Sequence, residues 1–357
     1  MGIVPRRAPL PHAICAAALI GIFGCSVPAH AAETSVETFY KGRTIQMLVG
    51  FAPGGINDIA ARLVGRHLPR FVPGAPQIVV QNQPGAGGLA VANYIYNVAP
   101  KDGTVLASLD RGSPQLAIQG EEAARFDPLK FTWLGSISSY ANDAYLLMVN
   151  ASSPVTSAGQ LQKPGVPIKL GTVGAGSSNL VFATLAKDVL KLNIDVVRGY
   201  TGAAPLFLAM QGGELDGQVV GLSSTRAGQA DLWNSKKLRP LVQFGRVTRL
   251  AELPDVPTGR ELAADDTARA LVEFAELPFF MALPFVAPPD IPADRAKALQ
   301  DAFIAMCKDP QFVAEAERLG LDVSPVDAGA LLQLLRKSAA TPKPIIEAYR
   351  AILSPTR

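Results

Sequence analysis

The chain has 357 residues, with 33 Lys and Arg against 30 Asp and Glu, and a mean hydropathy of +0.22. A charge so close to balance, with no basic cluster interleaved with aromatics, excludes a nucleic-acid footprint. Three cysteines and three histidines support neither a disulfide framework nor a Cys- or His-rich metal site, so no metal ligands are assigned.

The chain opens with a basic pair, Arg6 and Arg7. An apolar run at 13–24 follows, then the small-residue exit Pro28-Ala29-His30-Ala31-Ala32. This is the layout of a secretory signal peptide, placed at 1–32 and cut near Ala31 or Ala32. The run is too short to span a bilayer comfortably. Ala8-Pro9-Leu10 fits the twin-arginine route poorly. Ile22-Phe23-Gly24-Cys25 only loosely matches a lipoprotein box, so a lipid anchor at Cys25 is the minor reading. Removal of this segment takes the formal charge from +3 to +1 and leaves Cys307 and His67 as the mature thiol and imidazole. Cys307 lies on an apolar helical stripe and reads as a small buried hydrophobe.

The remaining chain, roughly 325 residues, exceeds the size at which one core stops growing, so two domains are expected. Residues 45–51, 77–80 and 104–109 read as strands, with helices at 57–70 and 88–97 between them, which is a βαβ pattern with a parallel sheet. Strands at 131–137 and 145–149 follow. The pattern then restarts, with strands at 168–173, 195–198, 217–222 and 238–244 and helices at 179–190 and up to Met210. A single strand at 279–287 returns the chain to the first lobe, and helices alone follow it. Pro292 suits a first helical turn, and Asp309-Pro310 provides an N-cap and N1 pair. The fold class is therefore α/β, with two Rossmann-like lobes joined by two crossover strands and completed by C-terminal helices. The crossovers fall near 131–138 and 279–287, where they can act as a hinge.

Two glycine-rich turns carry the chemistry. Phe51-Ala52-Pro53-Gly54-Gly55-Ile56-Asn57-Asp58 and Asn82-Gln83-Pro84-Gly85-Ala86-Gly87-Gly88 each link a strand to a helix. Such a turn exposes the free N–H groups of a helix start to an anion. Asp58 reads first as a helix cap and second as a ligand contact. Gly85-x-Gly87-x-x-Ala90 also matches the dinucleotide fingerprint, with Asp110 about 20 residues beyond Ala90 as the ribose acid. The spacer 81–84, the complete βα unit before it and the export signal weigh against that reading. In the second half, Gly174, Ser177 and Ser178 form a Gly/Ser turn whose hydroxyls can cap a helix or donate to a carboxylate. Tyr200 can wall the cleft or pack at a strand end. Arg111 and Arg198 are the cationic candidates for a carboxylate, although a solvated or salt-bridged surface Arg is the commoner reading for each, more so for Arg198. No Gly-x-x-x-x-Gly-Lys-Ser/Thr, His-Glu-x-x-His or Gly-x-Ser-x-Gly motif is present, so no catalytic residue is assigned.

With Arg43-Thr44-Ile45, the two glycine turns, Ala99-Pro100-Lys101-Asp102-Gly103, Gly199-Tyr200-Thr201-Gly202-Ala203, Leu253-Pro254-Asp255-Val256-Pro257-Thr258 and Ala287-Pro288-Pro289-x-x-Pro292, the chain resembles the substrate-binding receptors of tripartite tricarboxylate transporters over essentially its whole mature length. The resemblance implies a monomeric, non-enzymatic periplasmic binding protein of the type II-like class. Lobe I would be 33–137 plus 275–357, and lobe II 138–274. Its partners would be a small organic carboxylate and transporter membrane subunits, and it would need no cofactor. It assigns one carboxylate grip to Phe51, Pro53, Gly54, Gly55, Asn57 and Asp58 together with Asn82, Gly85, Ala86, Gly87 and Gly88. It assigns selection of the rest of the ligand to Gly174, Ser177, Ser178, Tyr200, Thr201 and Gly202. The chain departs from the family pattern at Leu180, Thr201 and Val220-Gly221, where His, Lys and Asp-Asn are frequent. These departures favour a less polar carboxylate over one bearing an ammonium group. An exported enzyme or a ligand sensor on the same fold are the alternatives.

Overall fold

The computed structural model describes Gly2, residues 35–173 and residues 177–353. The signal-peptide reading, Cys15, Cys25 and Gly174 lie outside the described residues. The strands in chain order are β1 (Thr44–Val49), β2 (Gln77–Asn82), β3 (Val105–Ser108), β4 (Thr132–Ser136), β5 (Tyr145–Asn150) and β6 (Ile168–Gly171). They are followed by β7 (Ile194–Val197), β8 (Gly217–Gly221), β9 (Leu238–Phe244), β10 (Pro284–Ala287) and β11 (Val326–Asp327).

The strands form two sheets, ordered β11-β4-β10-β3-β1-β2 and β7-β6-β8-β5-β9. β1, β2 and β3 run parallel, as do β6, β7 and β8, whereas β10, β11 and β5 run against their neighbours. Both sheets are covered by helices, which explains the continuous apolar runs of the parallel strands. On one face of the first sheet, Ile45, Met47, Leu63, Phe285 and Phe303 are fully buried, and Phe182, Leu147 and Phe244 are buried beside the second. Each such side chain stabilises the fold by about 1.5–3 kcal/mol. Cys307 joins the first core at 2% exposure, where burial pushes its thiol up to about 12.

Register decides where the loops emerge. Val49, at the end of β1, pairs with Asn82 on β2 and Ser108 on β3. The three following loops therefore leave the sheet side by side. In the second sheet Tyr145, which opens β5, lies opposite Gly221 on β8 and Phe244 on β9.

Residues 137–144 carry the chain into the second sheet, and the segment before β10 brings it back. The two passages are hydrogen-bonded to each other: Ile137 N–H donates to the Leu283 carbonyl (3.1 Å) and Ala282 N–H to that of Ser138 (2.9 Å). The single strand expected at 279–287 is in fact two elements, a 3₁₀ turn at Leu277–Met281 and then β10. Pro278 sits at the start of that turn, and its missing N–H suits a helical first turn better than a ladder. Nor do helices alone follow β10. The two-residue β11 pairs with β4 through Val326 and Ser136, too short a strand for alternation to reveal. The last helix, Lys343–Leu353, which the sequence reading groups with the first lobe, contributes Tyr349, Ile345 and Ile352 to the core of the second sheet.

Candidate functional site

The first glycine turn is held open by its own helix. Gly55 is the N-cap of the helix Ile56–His67, and no side chain caps it. Asp58 instead turns back: its carboxylate accepts from Gly54 N–H (2.8 Å), Arg62 Nε (3.0 Å) and Asn82 Nδ2 (2.8 Å). Asn82 also donates to the Phe51 carbonyl at 3.0 Å. One buried carboxylate thus joins both glycine turns. Burial opposes its charge, yet the donors from Arg62, Gly54 and Asn82 outweigh that and hold it below the usual carboxylate range.

The second turn is tighter. Ala86, Gly87 and Gly88 all have positive φ (47°, 62° and 92°), a conformation that costs Ala roughly 1 kcal/mol or more. A Cβ on Gly88 would sit 3.2 Å from the Phe51 ring, and one on Gly50 only 2.7 Å from the Gly88 Cα. The two turns touch through glycines. Gly50→Ala is expected to destabilise by about 1–3 kcal/mol, the usual cost of overpacking, and to weaken ligand binding by prising the turns apart. Urea unfolding and calorimetric titration of the variant check both effects.

A pattern of capping singles out this end of the molecule. The helices starting at Ile56, Leu89, Ser113, Ala203 and Leu222 carry glycine N-caps (Gly55, Gly88, Gly112, Gly202 and Gly221) with no side-chain cap. Those starting at Gly259, Asp266, Pro310 and Ala328 are capped by Thr258, Asp265, Asp309 and Asp327. At the start of the helix Ile56–His67 this leaves N–H groups available, whereas at the helix Leu222–Gly228 the Ala144 carbonyl and Asp143 take the N–H groups of Leu222 and Ser223. Ser177 is the exception to the glycine caps, since its hydroxyl accepts from Leu180 N–H.

Between the strand ends of the two sheets lies a cavity of about 370 Å³. Ile56, Asn57 and Arg111 reach it from the first sheet's loops, Tyr140 from the outward passage, Tyr145 from the start of β5, and Gly221 and Ser224 from the end of β8. A second cavity, of about 300 Å³, shares Asp110 and Arg111 with the first. Ser178, Val181, Phe182, Phe279 and Tyr349 line its other side. The Arg111 guanidinium lies over the Phe279 ring, 4.1 Å from its centroid, and no carboxylate forms a salt bridge with it among the described residues. Tyr140 and Tyr145 pack against the same ring at 5.0 and 5.1 Å. Burial pushes both phenols up, so they remain protonated donors. The third loop is under-satisfied as well: the Oγ atoms of Ser108 and Ser113 are buried without a partner, an uncommon state in folded proteins.

Three carboxylates also line the first cavity. Asp143 accepts from Ser223 Oγ, Ser223 N–H (3.1 Å) and Ala144 N–H (2.8 Å). Asp322 accepts from Ser138 Oγ (2.6 Å), Ser324 Oγ (2.5 Å) and Asn142 (3.0 Å). Both are thus occupied in fixing the outward passage. Among the described residues the Asp110 carboxylate accepts Gly112 N–H alone (2.8 Å), and burial raises its carboxyl above the usual range.

Of the residues singled out in the sequence, Asn57, Arg111 and Ser178 line the two cavities. Phe51, Asp58 and Asn82 brace the turns, and Pro53, Gly54, Gly55, Gly85, Ala86, Gly87 and Gly88 form them. Tyr200 packs beside the second sheet, its hydroxyl bonded to Glu214. Thr201 and Arg198 are exposed. Tyr200, Thr201 and Gly202 are absent from both linings. Sequence reasoning missed Tyr140, Tyr145 and Phe279. Their only signal was position, beside the two expected passages between lobes.

The chain matches the model of the tripartite tricarboxylate transporter family receptors over residues 73–350. It is 26% identical to the UPF0065 protein in the gbd 5′ region of Cupriavidus necator, over 96% of this chain and 97% of that one. Its fold resembles a TctC solute-binding protein from Polaromonas solved without ligand (TM-score 0.66, 18% identity, covering 87% of this chain and 99% of that one). It also resembles MatC from Rhodopseudomonas palustris with bound malate (TM-score 0.54, 21% identity, covering 87% and 99%). Among the described residues, no helix is long and apolar enough to cross a membrane. The family match spans most of the chain, and the two-sheet fold with glycine-capped helix starts facing a cavity agrees with it: this protein belongs to the tripartite tricarboxylate transporter receptor family, a family of solute-binding receptors rather than enzymes.

Proposed function

We propose that the protein captures a small organic carboxylate in the cleft between two α/β lobes and presents it to the membrane subunits of a tripartite transporter, working in the periplasm after export. The observation that carries this reading is Arg111, a half-buried guanidinium facing the cavities with no carboxylate partner among the described residues. Asp110 acts on it only through space, so a ligand carboxylate supplies the direct, bidentate partner that it lacks. The uncapped start of the helix Ile56–His67 adds N–H donors and the positive end of its dipole to the same cavity.

Capture needs no bond-making. Closure about the two hydrogen-bonded passages would bring Gly221 and Ser224 toward the glycine turns and exclude water, which strengthens each charged contact. The closed form would then differ in shape from the open one, and that difference is what a membrane partner can recognise. That MatC binds malate supports a carboxylate as the ligand class.

The test is thermal melting of the mature protein against mono-, di- and aromatic carboxylates. A true ligand at 100 times its Kd is expected to stabilise by about 2.7 kcal/mol. Unchanged melting with every carboxylate would remove the proposal.

A further inference from the structure

The two cavities differ in character, and Arg111 stands between them. The front one meets the glycine-turn helix at Ile56 and Asn57, two phenols and the Gly221–Ser224 corner. The rear one is walled by Val181, Phe182, Phe279, Tyr349 and Leu353. Val181, Phe182 and Phe279 belong to the apolar core of the second sheet at 8%, 1% and 1% exposure. Of the polar groups at the rear, Gln115 already donates to the Phe274 carbonyl (2.5 Å) and burial keeps the Tyr349 phenol neutral, while Gln119 and Ser178 add polar edges to the same lining. At about 300 Å³ the rear cavity is roomy, since an apolar cavity of about 150 Å³ already binds benzene.

Charge decides which ligand suits this pair of chambers. Arg111 is the one cation among the residues lining either cavity, whereas Asp110, Asp143 and Asp322 are carboxylates. One ligand carboxylate finds Arg111 and the helix start. A second, carried into the rear chamber, would meet Asp110 and an apolar wall with no second cation among the lining residues.

We propose that the rear cavity is the subsite for the ligand's non-polar body, so that the cleft selects a monocarboxylate with an alkyl or aryl chain over a dicarboxylate of equal length. The carboxylate occupies the front chamber against Arg111 and the opening amides of the helix Ile56–His67. The chain passes along the Phe279 ring beside the guanidinium and ends against Phe182 and Tyr349. This assignment rests on the receptor reading above and narrows its ligand class.

Hexanoate and adipate form the discriminating pair, because they differ only in the terminal methyl or carboxylate. Calorimetric titration of the mature protein is expected to give hexanoate a Kd at least tenfold below that of adipate, with 3-phenylpropionate on the hexanoate side. Val181→Trp, which fills the rear chamber, is expected to weaken hexanoate binding at least tenfold. If that variant does not melt cooperatively, Leu353→Trp narrows the same chamber from the end of the last helix. Adipate binding as tightly as hexanoate overturns the inference and leaves the receptor reading standing, as does unchanged hexanoate affinity in a folded filled variant. Failure of every carboxylate to bind overturns both.

Discussion

Asp58→Ala is expected to lower the unfolding free energy by about 3 kcal/mol and to weaken carboxylate binding at least tenfold. The carboxylate is 3% exposed and holds the Gly54 N–H and the Asn82 amide at 2.8 Å each. A hydrogen bond to a charged group contributes about 1.5–3 kcal/mol, and because Gly54 is exposed and Asn82 half-buried the low end applies to each. Arg62 is a smaller loss, because its side chain is 44% exposed and water replaces the contact. Affinity falls because the same atoms join the two glycine turns: without them Gly54 and Asn82 move independently, and the N–H groups lose their preset geometry. Asp58→Asn preserves shape but adds an amide donor where three donors already converge, so it rescues neither property fully. The pH dependence has a definite sign. Asp58 is held below its ordinary range in the folded state, so its stabilisation is complete above the unfolded carboxylate pKa and is lost as pH falls through the folded one. Urea unfolding from pH 3 to pH 7 checks this. The wild type should lose stability more steeply toward pH 3 than Asp58→Ala. Parallel curves would show that Asp58 does not brace the turns.

The glycine turns were readable in the sequence because their cause is local. An apolar strand, a Gly pair free to approach another backbone and a helical stripe lie within one stretch of chain, and propensity and spacing suffice to find them. The strand positions at 145–149 and 238–244 were readable for the same reason. What Asp58 does was not, since the helix-cap reading comes from its neighbours in sequence, whereas its partner Asn82 is brought beside it by the β1–β2 register. The aromatic wall has the same cause. Tyr140 and Phe279 are 139 positions apart in the numbering, and their 5.0 Å contact exists only because two passages between sheets run side by side. Arg111 was found as a type of residue at a strand end. Its missing counter-ion, which gives it meaning, is a property of the assembled cleft.

Arg260→Met is the second substitution of large expected effect, and it acts on the return passage. Glu276 is fully buried immediately before the turn Leu277–Met281. It accepts from Arg260 Nε at 2.5 Å and from Gly245 N–H at 3.0 Å, which fastens the end of β9 to the passage. Burial pushes its carboxyl up to about 7 despite Arg260. In the wild type this sets a direction. A folded pKa above the ordinary glutamate value of 4.5 means that the folded state retains a proton the unfolded chain has released, so this group's contribution to stability declines as pH rises from about 4.5 to about 7. Removing Arg260 leaves a carboxylate with no counter-ion in a dry site, at a cost of about 3–5 kcal/mol at pH 7.5. At pH 5 the same variant should recover much of that loss, because a protonated Glu276 needs no cation. Arg260→Met combined with Glu276→Gln should return to within about 1–2 kcal/mol of the wild type at both pH values, since the neutral amide needs no cation and its oxygen still accepts the buried Gly245 N–H. Urea denaturation of the three proteins at the two pH values measures these differences. A single variant equally destabilised at pH 5 and pH 7.5 would place the loss in packing around Phe280, over whose ring the Arg260 guanidinium lies at 5.4 Å, and not in the buried charge.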